Sequence, residues 1–278
     1  MISIIFAILL FAALLGLLYA HVLPELVYDW WDDPNYSHGF LVPLFSAYLV
    51  WQRRDAIRAT ESRPSWWGLA VILIGIASLL VGHVGAEAFL GRSSLVVVLA
   101  GLIWFHAGWP VLRVVLFPLA FLFFMIPLPA VLFYAVAFPL QSLAAQNAAW
   151  TLDHLGVPVL IDGNVIHLSH ISLGVTEACS GIRSLISLLA LALGWAALAL
   201  PGIVAMAVFA AVTIPITILA NAGRVVMTGL IGQWFGRQYA EGFFHMASGW
   251  IIFVFAFFCL LAVDRGLRLV LARLRSQS

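Results

Sequence analysis

Lysine is absent from this chain and charge of either sign is scarce. The 13 arginines and 12 acidic residues make up 9% of 278 positions, against roughly a quarter in soluble proteins. A net charge of +1 gives no basic surface for nucleic acid. Cysteine occurs twice, at Cys179 and Cys259, too few for a disulfide framework, and both read as free thiols. No G-x-S-x-G elbow, P-loop or dinucleotide fingerprint occurs, so serine-hydrolase and nucleotide chemistry lack support. His167 and His170 stand three apart without an H-E-x-x-H or paired-cysteine pattern beside them, so no metal and no other cofactor is expected. Internal repeats and low-complexity tracts are missing as well.

What remains is apolar: 64% of the residues are hydrophobic. A bilayer core about 30 Å thick takes roughly 17 to 25 apolar residues per helix. Eight runs qualify or nearly do: Ile2 to Val22, Tyr36 to Trp51, Trp66 to His83, Ser93 to Trp109, Leu112 to Pro127, Gly181 to Leu200, Ile203 to Ala220 and Met246 to Val263. The fold class expected is therefore an all-α polytopic membrane protein with about eight spans. The first run lacks a basic flank and a small-residue cleavage site, so it reads as a retained span.

Arginine placement sets the orientation, because short cytoplasmic loops are enriched in basic residues. Arg53, Arg54, Arg58 and Arg63 mark one loop as cytoplasmic, Arg113 another, and Arg265, Arg268, Arg273 and Arg275 the tail. Both termini then lie inside, and the segment with Glu25, Asp29, Asp32 and Asp33 lies outside. Residues 1–278 read as a single integral membrane domain. It comprises five spans in 1–127, an extracytoplasmic segment over 128–178, C-terminal spans over 179–264 and an arginine-rich cytoplasmic tail over 265–278.

Ala130 to His154 is apolar enough to cross, yet it holds Pro139, Gln141, Gln146, Asn147 and Asp153. A single crossing there would place either the Arg53 loop or the tail outside. The expectation is a helix along the outer surface or a re-entrant pair. Next, Val159-Leu160-Ile161 and Val165-Ile166-His167-Leu168 flank Asp162-Gly163-Asn164, a small β-hairpin with its turn. Polar strands cannot face lipid, so this too belongs outside.

The tract Val175-Thr176-Glu177-Ala178-Cys179-Ser180-Gly181-Ile182-Arg183-Ser184 places a thiol where a polar connector becomes a long apolar helix. A helix N-terminus and nearby cations lower a thiol's pKa, and the thiolate is the reactive form. Arg183, four residues on, would lie one turn deeper on the same face. Arg224, in Asn221-Ala222-Gly223-Arg224, follows the seventh run, where a guanidinium needs an anion or a developing oxyanion to face. The plainer alternative is a snorkelling anchor. His245 precedes the eighth run and suits a proton carrier near neutrality, or else an interfacial or capping residue. The expected topology brings Cys179, Arg224 and His245 to one membrane face. Glu177 and Asn221 flank the first two and read as supporting residues or as helix caps. Ser37 and His38, in Asn35-Tyr36-Ser37-His38-Gly39-Phe40, form a second polar cluster that suits a substrate groove or an ordinary interfacial turn.

These blocks together resemble the exosortases, the bacterial relatives of archaeosortases. The likeness rests on Thr176 to Ser184, Asn221 to Arg224, His245 with Ser248-Gly249-Trp250, and Ser37 to Phe40. The resemblance implies a multi-pass cysteine transpeptidase-like enzyme of the bacterial inner membrane, with Cys179 as nucleophile and Arg224 and His245 completing a triad. It implies as partners exported proteins whose C-terminal sorting signal combines a Pro-Glu-Pro-type motif, a transmembrane helix and an arginine-rich tail. The signal would be removed and the protein passed to an acceptor at the cell surface. Two competing readings are a purely hydrolytic intramembrane cysteine protease and a transporter or export-channel subunit in which Arg224 and His245 line a polar path.

Overall fold

Glycine at every seventh residue decides how two helices of the first half pack. In the computed structural model, which describes residues 10–11, 13–175, 181–236, 238–239 and 243–276 (side chains at 243–246, 270–272 and 274–276 excepted), the chain divides into two units, Met1–Pro129 and Ala130–Ser278. The first unit contains α1 (Val22–Asp32), a 3-10 turn Ser37–Phe40, α2 (Leu41–Gln52), α3 (Arg54–Ala59), α4 (Trp67–Val84), α5 (Ala88–Ala107), α6 (Trp109–Phe121) and a second 3-10 turn Leu122–Met125. The buried residues of α4 are Gly68, Gly75 and Gly82, one stripe down the helix. They lie against α5 so closely that a Cβ on Gly68 would enter the backbone of Phe105, and one on Gly82 would stand 2.5 Å from the Gly91 nitrogen. Lipid supplies no hydrophobic drive between helices, so this backbone-to-backbone approach is what holds the pair. The rest of α4, including Leu73, Ile74, Leu80 and Val81, is exposed and apolar, as suits a lipid-facing surface.

Polar side chains fasten the remaining elements of this unit. Arg92 of α5 is buried and ion-paired with Asp29 of α1. Tyr19 and Ser94 share a buried hydrogen bond of 2.9 Å. The switch from α-helix to 3-10 after Phe121 turns the Leu122 N–H toward Ala120 and Leu119, and the Pro118 carbonyl accepts instead from the Ser46 hydroxyl at 2.8 Å.

The second unit runs α7 (Ala130–His154), β1 (Val159–Asp162), β2 (Val165–Leu168), β3 (Ser172–Gly174), α8 (Ile182–Ala199), α9 (Gly202–Phe235) and α10 (Phe243–Ser276). The strands form one antiparallel sheet in the order β1-β2-β3. Gly163 opens the β1–β2 turn at φ +59°, the conformation a type II′ hairpin requires at its first central position. The sheet docks through Ile166, Leu168 and Val175 onto Ala144, Ala148 and Leu152 of α7 and Val225 of α9. A second cluster joins α8, α9 and α10 through Leu188, Ala192, Phe209, Ala256 and Leu260. On its other side α10 exposes Trp250, Ile251, Phe255 and Phe258.

The chain is thus an all-α polytopic membrane protein carrying a small sheet, and the described residues do not supply the eight spans expected. Among the described residues five helices are long and apolar enough to cross a membrane, or up to six if the bent pair Trp109–Met125 and Ala130–His154 counts as one span. The second apolar run folds as the 12-residue α2, only about 18 Å long. The fifth is cut at 13 residues by the change to 3-10 geometry, and the first begins outside the described residues. Ala130 to His154 is one continuous helix with Pro139 inside it, not a re-entrant pair.

Candidate active site

Beside the apolar cluster that joins them, the last three helices also meet at small and polar residues. Gly181 caps the N-terminus of α8 in the left-handed region, φ +80°, and its carbonyl accepts the Leu185 N–H at 2.7 Å. The bare Cα lies on Asn221 of α9: a Cβ there would meet the Asn221 Cγ at 3.0 Å and Nδ2 at 3.2 Å. No L side chain adopts that backbone easily, and a Cβ there would press on the asparagine.

Along α9 the buried polar residues are Thr213, Thr217 and Asn221, spaced by four and each no more than 3% exposed. The threonine hydroxyls donate to the Phe209 and Thr213 carbonyls at 2.9 and 2.8 Å, satisfied within the helix. The stripe leads to Arg224, one turn beyond Asn221. Its guanidinium lies across Gly249 of α10, with Cζ and Nη2 each 3.4 Å from where a glycine Cβ would stand. Ser248, beside it, is buried. Gly249 is therefore the slot in α10 that admits the arginine. His245 stands one helical turn before Gly249, near the start of the same helix. Leu140 and Ala144 of α7, with Leu185, Thr217, Gly181 and Asn221, line a crevice of about 10 Å³, room for roughly one water.

Two expectations change. Arg224 does not follow the end of a helix, because α9 continues unbroken to Phe235. From Gly202 to Arg224 the helix rises about 33 Å, close to a bilayer core, and the rest projects further. The second concerns the start of α8, which is Ile182, behind a left-handed Gly181 rather than at the cysteine tract. Glu177 and Cys179 themselves lie outside the described residues, as does the side chain of His245. Arg183 is half-buried in the first turn of α8.

Ser37 and His38 belong to the first unit, where the structure gives the cluster a tying role. His38 Nε2 is 3.0 Å from the Phe124 carbonyl, the Leu128 N–H donates to the Tyr36 hydroxyl at 3.0 Å, and Trp30 Nε1 donates to the Met125 carbonyl at 2.7 Å. Gly39 sits under the Trp30 ring with no room for a Cβ. Burial holds the His38 imidazole below its usual pKa, partly offset by the Phe124 hydrogen bond. Ser37 donates only a long bond of 3.4 Å to the Pro34 carbonyl. His167 and His170 serve the sheet: His167 Nδ1 lies 2.8 Å from Ser172 Oγ, and the His170 N–H donates to Gln233 Oε1.

The model of the transmembrane exosortase family matches residues 30–262, most of the chain and all of the blocks just described. The chain belongs to the transmembrane exosortase family. No curated protein and no solved structure is similar enough to match. In this exosortase the sequence signals for Asn221 and Arg224 sit on one buried helical stripe, and the third block, Ser248-Gly249-Trp250, supplies the glycine on which Arg224 lies. Thr213 and Thr217 were not singled out from sequence, although their spacing of four from Asn221 marks the same face.

Proposed function

We propose that this protein is a membrane-embedded cysteine transpeptidase that removes the C-terminal sorting signal of exported proteins through a thioester on Cys179. The observation that carries the reading is the pair of close contacts on α9. Gly181, two residues after Cys179, is seated on Asn221, and Arg224, one turn further, is seated on Gly249, one turn after His245. These two contacts support the reading that thiol, guanidinium and imidazole act together, since each involves a residue close in sequence to one of the three.

In the proposed reaction the Cys179 thiolate attacks the scissile carbonyl, and Arg224 donates to the oxygen that becomes negative in the tetrahedral intermediate. Collapse of that intermediate releases the C-terminal segment as an amine, protonated from His245, and leaves an acyl-thioester. An acceptor amine, or water, then attacks the thioester and restores the thiol. Glu177, Arg183 and Asn221 support the site, and Arg183, Arg224 or Arg237 suits the glutamate of a Pro-Glu-Pro-type motif. On this reading the protein lies in the bacterial inner membrane with both termini cytoplasmic and Cys179 facing outward. A substrate with its own membrane anchor presents its scissile bond there.

The test is co-expression with a protein bearing the motif, helix and arginine tail, followed by intact mass of the product. A truncated product carrying an added group supports transfer, and a truncated product with a free carboxylate replaces transfer by hydrolysis. Uncut substrate beside correctly inserted enzyme would overturn the reading.

A further inference from the structure

The small sheet has an open edge next to the cysteine tract, and the hydrogen-bond parity of its strands shows which groups that edge offers. In an antiparallel sheet each residue turns both its N–H and its C=O to one side, alternating along the strand. Val175 N–H donates to the Asn164 carbonyl at 2.8 Å and Leu168 N–H to the Ile171 carbonyl at 2.8 Å. With Ile166 opposite Leu173, residues 171, 173 and 175 therefore face β2. Ser172 and Gly174 turn their backbone groups the other way. Both residues are exposed, and among the described residues no backbone hydrogen bond reaches those outward groups.

This edge is held firmly. Ile166 and Val175 are buried in the core between α7 and α9, Leu173 packs against it, and the β2–β3 loop is pinned to α9 through Gln233. It is also well placed along the chain, since Cys179 stands five residues after Gly174. Five residues span at most about 18 Å.

We infer that the β3 edge binds the substrate as an added strand, an extended peptide hydrogen-bonded to the backbone of Ser172 and Gly174, five to seven residues before the nucleophile in sequence. This rests on the proposed function and supplies its recognition surface. Strand addition takes affinity from main-chain hydrogen bonds and leaves alternate substrate residues facing away. A Pro-X-Pro segment fits that arrangement in one phase only. The central residue turns its N–H and C=O to β3, and both prolines, which have no N–H to give, point their nitrogens outward. The opposite edge, β1, turns Val159 and Ile161 outward and lies two strands away from the run into Cys179.

Two measurements on the full-length protein in membranes test this. First, a photoreactive residue is placed at Ser172 or at Ile161 in a Cys179→Ala background and irradiated with co-expressed tailed substrate. Crosslinking at 172 should exceed that at 161 by about tenfold, as expected for the loss of one or two backbone hydrogen bonds. Second, a single proline is moved one residue at a time along the motif region of the substrate, with wild-type enzyme. Processing should fall about tenfold at every second position and survive in between. Equal crosslinking at both edges, or a proline profile without a period of two, would overturn strand addition while leaving the enzyme reading intact. Failure of wild type to process any tailed substrate would remove both.

Discussion

Gly181 and Asn221 are in contact at the start of α8, with 3.0 Å between the asparagine Cγ and the place a glycine Cβ would occupy. The contact fixes the spacing between the tract that holds Cys179 and the helix that holds Arg224. In Gly181→Ala the left-handed backbone costs about 1 kcal/mol and the methyl meets the asparagine. Thermal unfolding in detergent should show destabilisation that shrinks in an Asn221→Ala background, because that change removes the Cγ and Nδ2 from the contact and leaves only the Cβ. Fully additive effects would contradict the contact.

Arg224 lies across Gly249, so Gly249→Val fills the slot and moves the guanidinium without removing it. Processing of a tailed substrate should fall about a hundredfold, the scale on which a 1 Å misplacement acts, while the membrane level is kept. Unchanged turnover would show that the arginine does not act where it lies.

Arg224→Lys asks a different question of the same site. A lysine retains the charge but cannot place two parallel donors on one oxygen, so the variant should be impaired by about tenfold or more. Wild-type kinetics would favour a snorkelling anchor.

Gly39→Ala would drive a methyl into the Trp30 ring, whose Nε1 holds the Met125 carbonyl. Destabilisation of about 1–3 kcal/mol is expected from overpacking, read as a lower unfolding temperature. His38, beside it, has a depressed pKa caused first by burial. Its contribution is therefore fully present above the ordinary histidine value near 6.5 and is lost as pH falls through the depressed value. Between pH 7.5 and 5 the wild type should lose more stability than His38→Gln, which cannot titrate; equal losses would contradict the assignment.

Much of the fold was legible in the sequence, and the exceptions have physical causes. The runs Trp66 to His83 and Gly181 to Leu200 match α4 and α8 to within a residue, because lipid-length apolar helices announce themselves by composition. The hairpin was readable from its Gly163 turn. β3 was not, since Ser172-Leu173-Gly174 carries no alternation long enough to stand out, and its pairing is decided by β2. Hydropathy falls at Asn221 and Arg224, which suggested an end to the seventh span. Backbone hydrogen bonding does not depend on side-chain polarity, however, and α9 runs on to Phe235. The second and fifth runs have the composition of spans but not the length, because 3-10 geometry interrupts both at their polar or proline-bearing ends. At the site, Asn221 and Arg224 were found as polar breaks in an apolar run. The roles of Gly181 and Gly249 emerge only from the packing of neighbouring helices.

The central claim is that the sulfur of Cys179 carries out the cleavage. The direct measurement is processing of a co-expressed tailed substrate by Cys179→Ala, with enzyme level in the membrane matched to wild type. The account predicts that the substrate keeps its C-terminal helix and arginine tail in the variant and loses them with wild type. Wild-type processing by Cys179→Ala would contradict it.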